Sequence, residues 1–130
     1  MSNNVSMSRL HGTVLEIDMG YSCCSLLRLV LNHNNVKYIR AYDLDEAIKL
    51  AKRKQPDVIF LEAFMPVSGF EIYETLQKNQ NTKHIPVVFY SLGPEIEKKL
   101  KELGVPYLSK PVDFDELFEY LATYLEVVEE

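Results

Sequence analysis

Val58 to Leu61 is an unbroken apolar run, Val-Ile-Phe-Leu, set between Asp57 and Glu62. A strand that is apolar at every position has no face for water, so it must be covered on both sides. Ile85 to Tyr90 is a second apolar run. Around these two runs the chain alternates strand-like and helix-like segments. Thr13 to Ile17 is short and β-prone, and Ser22 to Asn35 carries Leu26, Leu27, Val30 and Leu31 at helical spacing. Val36 to Tyr42 reads as a strand with Tyr38, Ile39 and Tyr42, and Tyr107 with Leu108 forms a short last one.

The intervening helices announce their ends. Asp43 with Glu46 three residues on is a capping box, and Leu44, Ala47, Ile48 and Ala51 give that helix an apolar face that stops at Gln55-Pro56. Pro66 and Gly69 punctuate a loop before a helix over Phe70 to Gln80. Pro94 suits the first turn of a helix over Glu95 to Leu103, and Gly104 suits its C-terminal cap. Asp113 with Glu116 opens a last helix that runs to about Glu126, with Phe114, Leu117, Phe118, Leu121 and Leu125 as its core stripe and Tyr120 and Tyr124 off it. Strand then helix, repeated five times, predicts an α/β fold, a (βα)5 doubly wound five-stranded parallel sheet with helices on both faces. Residues 1–11 are expected to be a flexible leader, 12–126 the domain and 127–130 an acidic tail.

Composition excludes several function classes. Lys and Arg number 14 against 19 Asp and Glu, a formal charge of -5 that argues against nucleic acid as partner. No apolar run approaches a membrane span and no signal peptide is evident. The two cysteines, Cys23 and Cys24, are adjacent, which disfavours a disulfide between them. A cytoplasmic protein is expected.

In a doubly wound sheet, ligands meet the carboxyl ends of the strands where the strand order reverses. Four polar residues follow apolar strands there: Asp18, Glu62, Ser91 and Lys110. Two acids, a hydroxyl and an amine in one crevice have the chemistry of a magnesium and phosphoryl site. The plainer alternative is that strand ends are simply polar, with Glu62 and Lys110 a solvated ion pair.

The motifs VLEIDM (Val14 to Met19), PDVIFLEAFMPVSGFE (Pro56 to Glu71), PVVFYS (Pro86 to Ser91) and SKP (Ser109 to Pro111), in this order, resemble the CheY-like receiver domain of two-component signalling. The resemblance covers roughly Thr13 to Leu125 and implies the flavodoxin/CheY-like strand order 2-1-3-4-5. In that family the first strand ends in a pair of acids that hold magnesium, and the third ends in the aspartate that accepts the phosphoryl group. By motif position Asp18 matches the first acid, Ser91 the switch hydroxyl, Tyr107 the switch aromatic and Lys110 the lysine that neutralises phosphoryl charge. The vestige of the metal site would be Asp18, Glu62 and the backbone of Phe64.

Three departures from the family pattern point one way. Glu62 stands where the acceptor aspartate belongs, Met19 where the second acid belongs, and bulky Leu92 beside Ser91. The extra methylene of Glu62 moves its carboxylate by on the order of 1 Å, and such a misplacement costs roughly a hundredfold in rate. Losing the Met19 acid removes a magnesium ligand. The chain is therefore expected to be a degenerate receiver, not an enzyme, acting as a phosphorylation-independent protein-interaction module. No cofactor is expected, with weak Mg2+ binding left as an alternative. The Glu62 carboxylate would stand in for a phosphoryl group near Ser91 and Lys110, with Tyr107 turned inward. The partner would be a signalling protein on the face of the fourth helix, fifth strand and fifth helix. A homodimer through the same face is an alternative, in which Lys98, Lys99 and Lys101 would pair with Asp113, Asp115, Glu116 and Glu119, although these charges read equally as two solvated faces; nucleic acid and membrane are not expected. Two other functions stay open: a working phosphoacceptor regulated by a histidine kinase, and a flavodoxin-like cofactor binder, for which MGYSCCS is a poor phosphate loop.

Glu16 lies mid-strand where burial on both faces is expected, so it needs a partner, and Lys37 or Arg40 on the neighbouring strand are candidates. Cys23 and Cys24 read as small packing residues or, at a helix start, as redox thiols. His11, His33 and His84 have no metal spacing.

Overall fold

A computed structural model describes residues 10–18, 26–31, 35–62, 69–91, 93–109 and 112–128. Expectations placed on residues 1–9 of the leader and on Met19, Cys23, Cys24, His33, Phe64, Leu92 and Lys110 fall outside those residues.

In chain order the elements are β1 (Leu10–Ile17), α1 (Leu26–Leu31), β2 (Asn35–Ala41), α2 (Leu44–Lys54), β3 (Val58–Glu62), α3 (Gly69–Lys78), β4 (Val87–Ser91), α4 (Pro94–Leu103), β5 (Tyr107–Ser109), α5 (Phe114–Tyr124) and β6 (Glu126–Val127). The sheet runs β2-β1-β3-β4-β5, with each of these neighbours parallel. This is the order that the family resemblance implies, in the parallel sheet that the alternating elements predict.

The unbroken apolar run explains the layers. Along β3, Ile59 and Leu61 face a cluster completed by Ala47 and Ala51 of α2, Ile72 and Leu76 of α3, and Leu100 of α4. Val58 and Phe60 face a second cluster with Leu27 and Leu31 of α1 and Leu117 and Leu121 of α5. Alternation along each strand feeds both layers at once. Phe60 and Phe89 are wholly buried, one in each layer, and burying such a side chain contributes about 1.5–3 kcal/mol. Phe60 stacks on Tyr90 at 5.7 Å, and Phe89 is flanked by Phe70 at 5.2 Å and Tyr73 at 5.7 Å.

The helix ends follow their capping chemistry. The Asp43 carboxylate accepts from the Glu46 amide at 2.8 Å, and Glu46 accepts in return from the Tyr42 amide at 3.0 Å, one residue before the cap. Asp113 accepts from the amides of Asp115 and Glu116. Gly104 closes α4 in the left-handed region at φ 71°, its amide donating to Lys101 and that of Val105 to Leu100. Gln55 closes α2 at φ 46° although it is not glycine. Its side chain compensates: the amide nitrogen donates to the carbonyls of Lys52 and Asn81, and the oxygen meets His84 Nε2 at 2.8 Å.

The expected edges of the domain need correction at both ends. Leu10 and His11, assigned to the leader, belong to β1, and Leu10 is wholly buried. Val127, assigned to the tail, pairs antiparallel with Leu10 in β6, and Glu126 pairs with His11. The reason is a gap in the ladder. β3 meets β1 only from Val14 onward, so the amino end of β1 has backbone groups that the chain end can satisfy. The stripe on α5 is as expected at Leu117, Leu121 and Leu125, which are buried, and at Phe118, which packs against the second cluster, but Phe114, the first residue of the helix, is 53% exposed, and Tyr120 and Tyr124 also pack against that cluster. Among the described residues no helix is long and apolar enough to cross a membrane.

Gly12 makes the closure at this end of the sheet. Its φ is 147°, and a Cβ there would lie 2.7 Å from Asp57 Oδ2 and 2.7 Å from Leu125 Cδ2. The same Asp57 carboxylate accepts from the Thr13 amide at 2.8 Å, while the Asp57 amide donates to the Thr13 carbonyl at 2.8 Å. We predict that Gly12→Ala destabilises the domain by about 1–3 kcal/mol through overpacking and backbone strain. Urea denaturation checks it, and a change within about 0.5 kcal/mol, the range of an ordinary surface substitution, would contradict it.

Candidate functional site

The strand order sets the carboxyl ends of β1, β3 and β4 side by side. Asp18 directly follows β1, and its amide donates to the Ala41 carbonyl at 3.1 Å. Glu62 ends β3 opposite Tyr90, and Ser91 ends β4 opposite Ser109. Asp18, Glu62 and the backbone of Ser91 thus share one edge of the sheet. Tyr107 opens β5, half-buried against the cluster beneath α2, α3 and α4, and its carbonyl accepts from the Tyr120 hydroxyl at 3.5 Å.

The side chains that organise this edge come from β2. Register sets Tyr38 opposite Val14 and Arg40 opposite Glu16. Each β2 side chain leans one pair forward, toward the carboxyl end, and meets the next acid on its face. The Tyr38 hydroxyl donates to Glu16 Oε1 in a short hydrogen bond. Arg40 Nη2 donates to Asp18 Oδ1 at 2.6 Å, and the two side chains are 14% and 7% exposed. Diagonal neighbours on a sheet are within reach of long side chains. The result is a polar ladder on the α1 face of the sheet.

This answers the question Glu16 poses. It is 4% exposed, and Tyr38, not Lys37, donates a hydrogen bond to it. Lys37 is exposed and lies out of phase with Glu16 along the strand, since it sits opposite Thr13. Arg40 adds its positive charge to the neighbourhood of Glu16 but directs its hydrogen bond to Asp18. Burial alone would lower the Arg40 pKa; the hydrogen bond to Asp18 and the charges of Asp18, Tyr38 and Glu16 outweigh burial and raise it. The guanidinium also stacks over the Tyr42 ring, 5.3 Å from its centroid. Beside it an open cleft of about 480 Å³ is lined by Arg28, Val36, Tyr38, Arg40 and Tyr42.

Tyr90 completes the edge from β4. It is 6% exposed. Burial first, and then the charges of Glu16, Tyr38, Glu62 and Asp18, push its hydroxyl well above the ordinary tyrosine range. On the far side of the sheet, Ser109 donates to Glu97 Oε2 at 2.6 Å, tying β5 to α4, and Lys99 Nζ sits 4.4 Å from the Phe70 ring centroid, tying α4 to α3.

A family model described as the response regulator receiver domain matches residues 14–122. The chain belongs to that family. The polar-differentiation response regulator DivK of Brucella ovis is 30% identical over 106 residues, covering 77% of this chain and 85% of its own length. A putative response regulator from Chloroflexus aurantiacus has the same fold, with a TM-score of 0.75 at 24% identity over 87% of this chain and 96% of its own. The chemotaxis protein CheY4 of Vibrio cholerae gives 0.73 at 26% identity, over 88% and 99%.

A receiver of this family implies magnesium at the edge, and the residues of this receiver do not fit it. Magnesium wants near-octahedral oxygen ligands at short distance. Asp18 already directs an oxygen to a guanidinium, and the residue after it is Met19. Among the described residues no group of three or more His, Cys, Asp or Glu is placed to hold a metal ion. Sequence reasoning missed the roles of Arg40 and Tyr90. The phase of Tyr38, Arg40 and Tyr42 along one strand was the available signal, but which acid each would reach depends on register.

The Tyr90 shift has a measurable consequence. An unfolded chain releases the tyrosine proton at the ordinary value, roughly 10, while the folded receiver retains it. The unfolded state then binds fewer protons, so stability is intact below about pH 10 and falls as pH rises above it. We predict that urea midpoints of the parent fall more steeply through this alkaline range than those of Tyr90→Phe. Parallel declines would show that Tyr90 titrates like a free tyrosine.

Proposed function

We propose that this receiver works without phosphorylation, as a docking module for a signalling protein, and is not itself an enzyme. The observation that carries the reading is Glu62. It ends β3, opposite Tyr90 of β4, at the motif position where the family has its acceptor aspartate. A glutamate there presents a carboxylate displaced by one methylene. It carries one negative charge where a phosphorylated residue carries about 1.5 to 2. Two features of the sequence lend support: Met19 in place of a second acid, and Leu92 beside Ser91.

The docking face in this reading is α4, β5 and α5, and the state it presents is a fixed one. The Ser109–Glu97 hydrogen bond and the Lys99–Phe70 contact restrain α4 against its neighbours. Tyr107 lies half-buried beneath it. Such cross-links raise the cost of moving α4 relative to β5, in keeping with a surface that is held in one form. Glu62 would supply part of the negative charge that a phosphoryl group brings to a working receiver. A cytoplasmic location and a protein partner go with this reading, and a second copy of the chain on the same face is the alternative occupant.

Incubation with acetyl phosphate and magnesium is the direct test. The intact mass is expected to stay unchanged, and amide resonances of Asp18, Glu62 and Tyr107 are expected to be unmoved by beryllofluoride. A phosphoryl adduct, or beryllofluoride shifts that spread from Glu62 to Tyr107 and α4, would restore the working phosphoacceptor and sink the proposal.

A further inference from the structure

We propose that Arg40 is the resident cation of the carboxyl edge, so that this receiver holds its acidic residues with a guanidinium in place of a divalent metal. The inference deepens the proposed function and rests on it for its biological meaning, though its geometry stands apart.

Three observations converge. The first is contact: Arg40 Nη2 lies 2.6 Å from Asp18 Oδ1, with both side chains mostly buried. A charge-assisted hydrogen bond of this length is among the stronger polar contacts a protein makes. Guanidinium does not lose its proton in proteins, so the cation is permanent. The second is position. Arg40 reaches Asp18 because β2 lies against β1 in a register that sets Arg40 opposite Glu16. The Tyr38 hydroxyl meanwhile engages Glu16, so both acids on this face of β1 have fixed donors from the same neighbouring strand. The third is charge balance. Two carboxylates around a dication sum to zero. In this chain the second carboxylate is replaced by Met19, and Asp18 with the single charge of Arg40 again sums to zero. Removing one acid and exchanging a dication for a monocation leaves the sum over residues 18, 19 and the cation unchanged, with Glu16 and Glu62 outside that sum.

A magnesium ion at Asp18 would have to displace the guanidinium or sit beside it. Like charges at such short range in a partly buried site repel strongly. Magnesium also sheds its water reluctantly and tolerates little distortion of its ligand shell. A cation covalently part of the chain has neither difficulty and cannot dissociate. The acidic edge is thereby held in one arrangement whatever the magnesium concentration.

The test uses Mn2+ as a paramagnetic probe in amide NMR spectra of the full chain. The parent is expected to show no selective broadening at Ile17, Asp18, Ala41 and Glu62. Arg40→Met, which removes the guanidinium from Asp18, is expected to broaden these amides selectively at about a tenth of the highest Mn2+ concentration that leaves the parent unbroadened. Arg40→Gln, which keeps a hydrogen-bond donor without the charge, is expected to behave the same way and serves if Arg40→Met does not fold. Arg40→Lys is expected to stay insensitive, and adding Asp18→Asn to Arg40→Met is expected to abolish the broadening. Selective broadening in the parent, or none in a folded variant that lacks the Arg40 charge, overturns the inference. The same samples treated with acetyl phosphate separate the two ideas. Broadening in the parent without a phosphoryl adduct overturns the role of Arg40 and leaves the docking module. An adduct on a parent that ignores Mn2+ overturns the docking module and supports the role of Arg40.

Discussion

The register between β1 and β2 decides what the carboxyl edge of this sheet can do. Glu16 lies opposite Arg40, and Val14 opposite Tyr38. Both β2 side chains reach forward by one pair, so a phenol meets Glu16 and a guanidinium meets Asp18. A slip of one residue would turn every side chain of β2 to the other face. Tyr38 and Arg40 would then leave the acids, and Ile39 would leave the apolar cluster it packs against. The register is therefore held twice, by apolar packing on one face and by the polar ladder on the other. Breaking one partner of such a partly buried pair leaves an uncompensated charge, which typically costs about 3–5 kcal/mol.

That ladder changes the meaning of the family likeness. The receiver topology places strand ends at a shared crevice, whatever residues occupy them. Family membership thus establishes where a site would lie, and the residues decide whether it operates. Here the two changes at that edge reinforce each other. In the proposed reading Glu62 stands at the acceptor position, and Arg40 engages Asp18 across the sheet. Tyr90, buried between the charges of Glu16, Glu62 and Asp18, is kept neutral. On the other face, α4 is bound to β5 through Glu97 and Ser109 and to α3 through Lys99 and Phe70. The edge and the proposed docking face are in this way both restrained by contacts internal to the chain.

Most of the fold was legible before any coordinates. Capping at Asp43 and Asp113, the stop at Gln55-Pro56 and the glycine cap at Gly104 are local chemistry, readable because each partner lies within a few residues. The unbroken run Val58 to Leu61 declared a strand with two covered faces. What escaped was non-local. Leu10 and His11 sit in a polar stretch that reads as leader, and only the returning chain at Glu126 and Val127 shows why they belong to β1. Phe114 has the type of a core residue, yet at the first position of α5 it is largely exposed, while Tyr120 and Tyr124 join Phe118 and Leu125 in the second cluster. A mid-strand Glu16 demands a partner, and the sequence offers Lys37 and Arg40 on the neighbouring strand. The true pairing, Tyr38 to Glu16 and Arg40 to Asp18, depends on how far each side chain leans along the strand.

The sequence by itself determined the alternation of strands and helices, the two-sided burial of the sheet, and the identity of the residues at its strand ends, including Glu62 at the end of β3 and Met19 after Asp18. These are properties of order and type along the chain, set by periodicity and local hydrogen bonding. Only the tertiary structure decided that the positive charge of Arg40 would fall on Asp18. That outcome needs two strands brought together across seventeen or more intervening residues, in a register chosen by the packing of both faces at once. No local pattern encodes it.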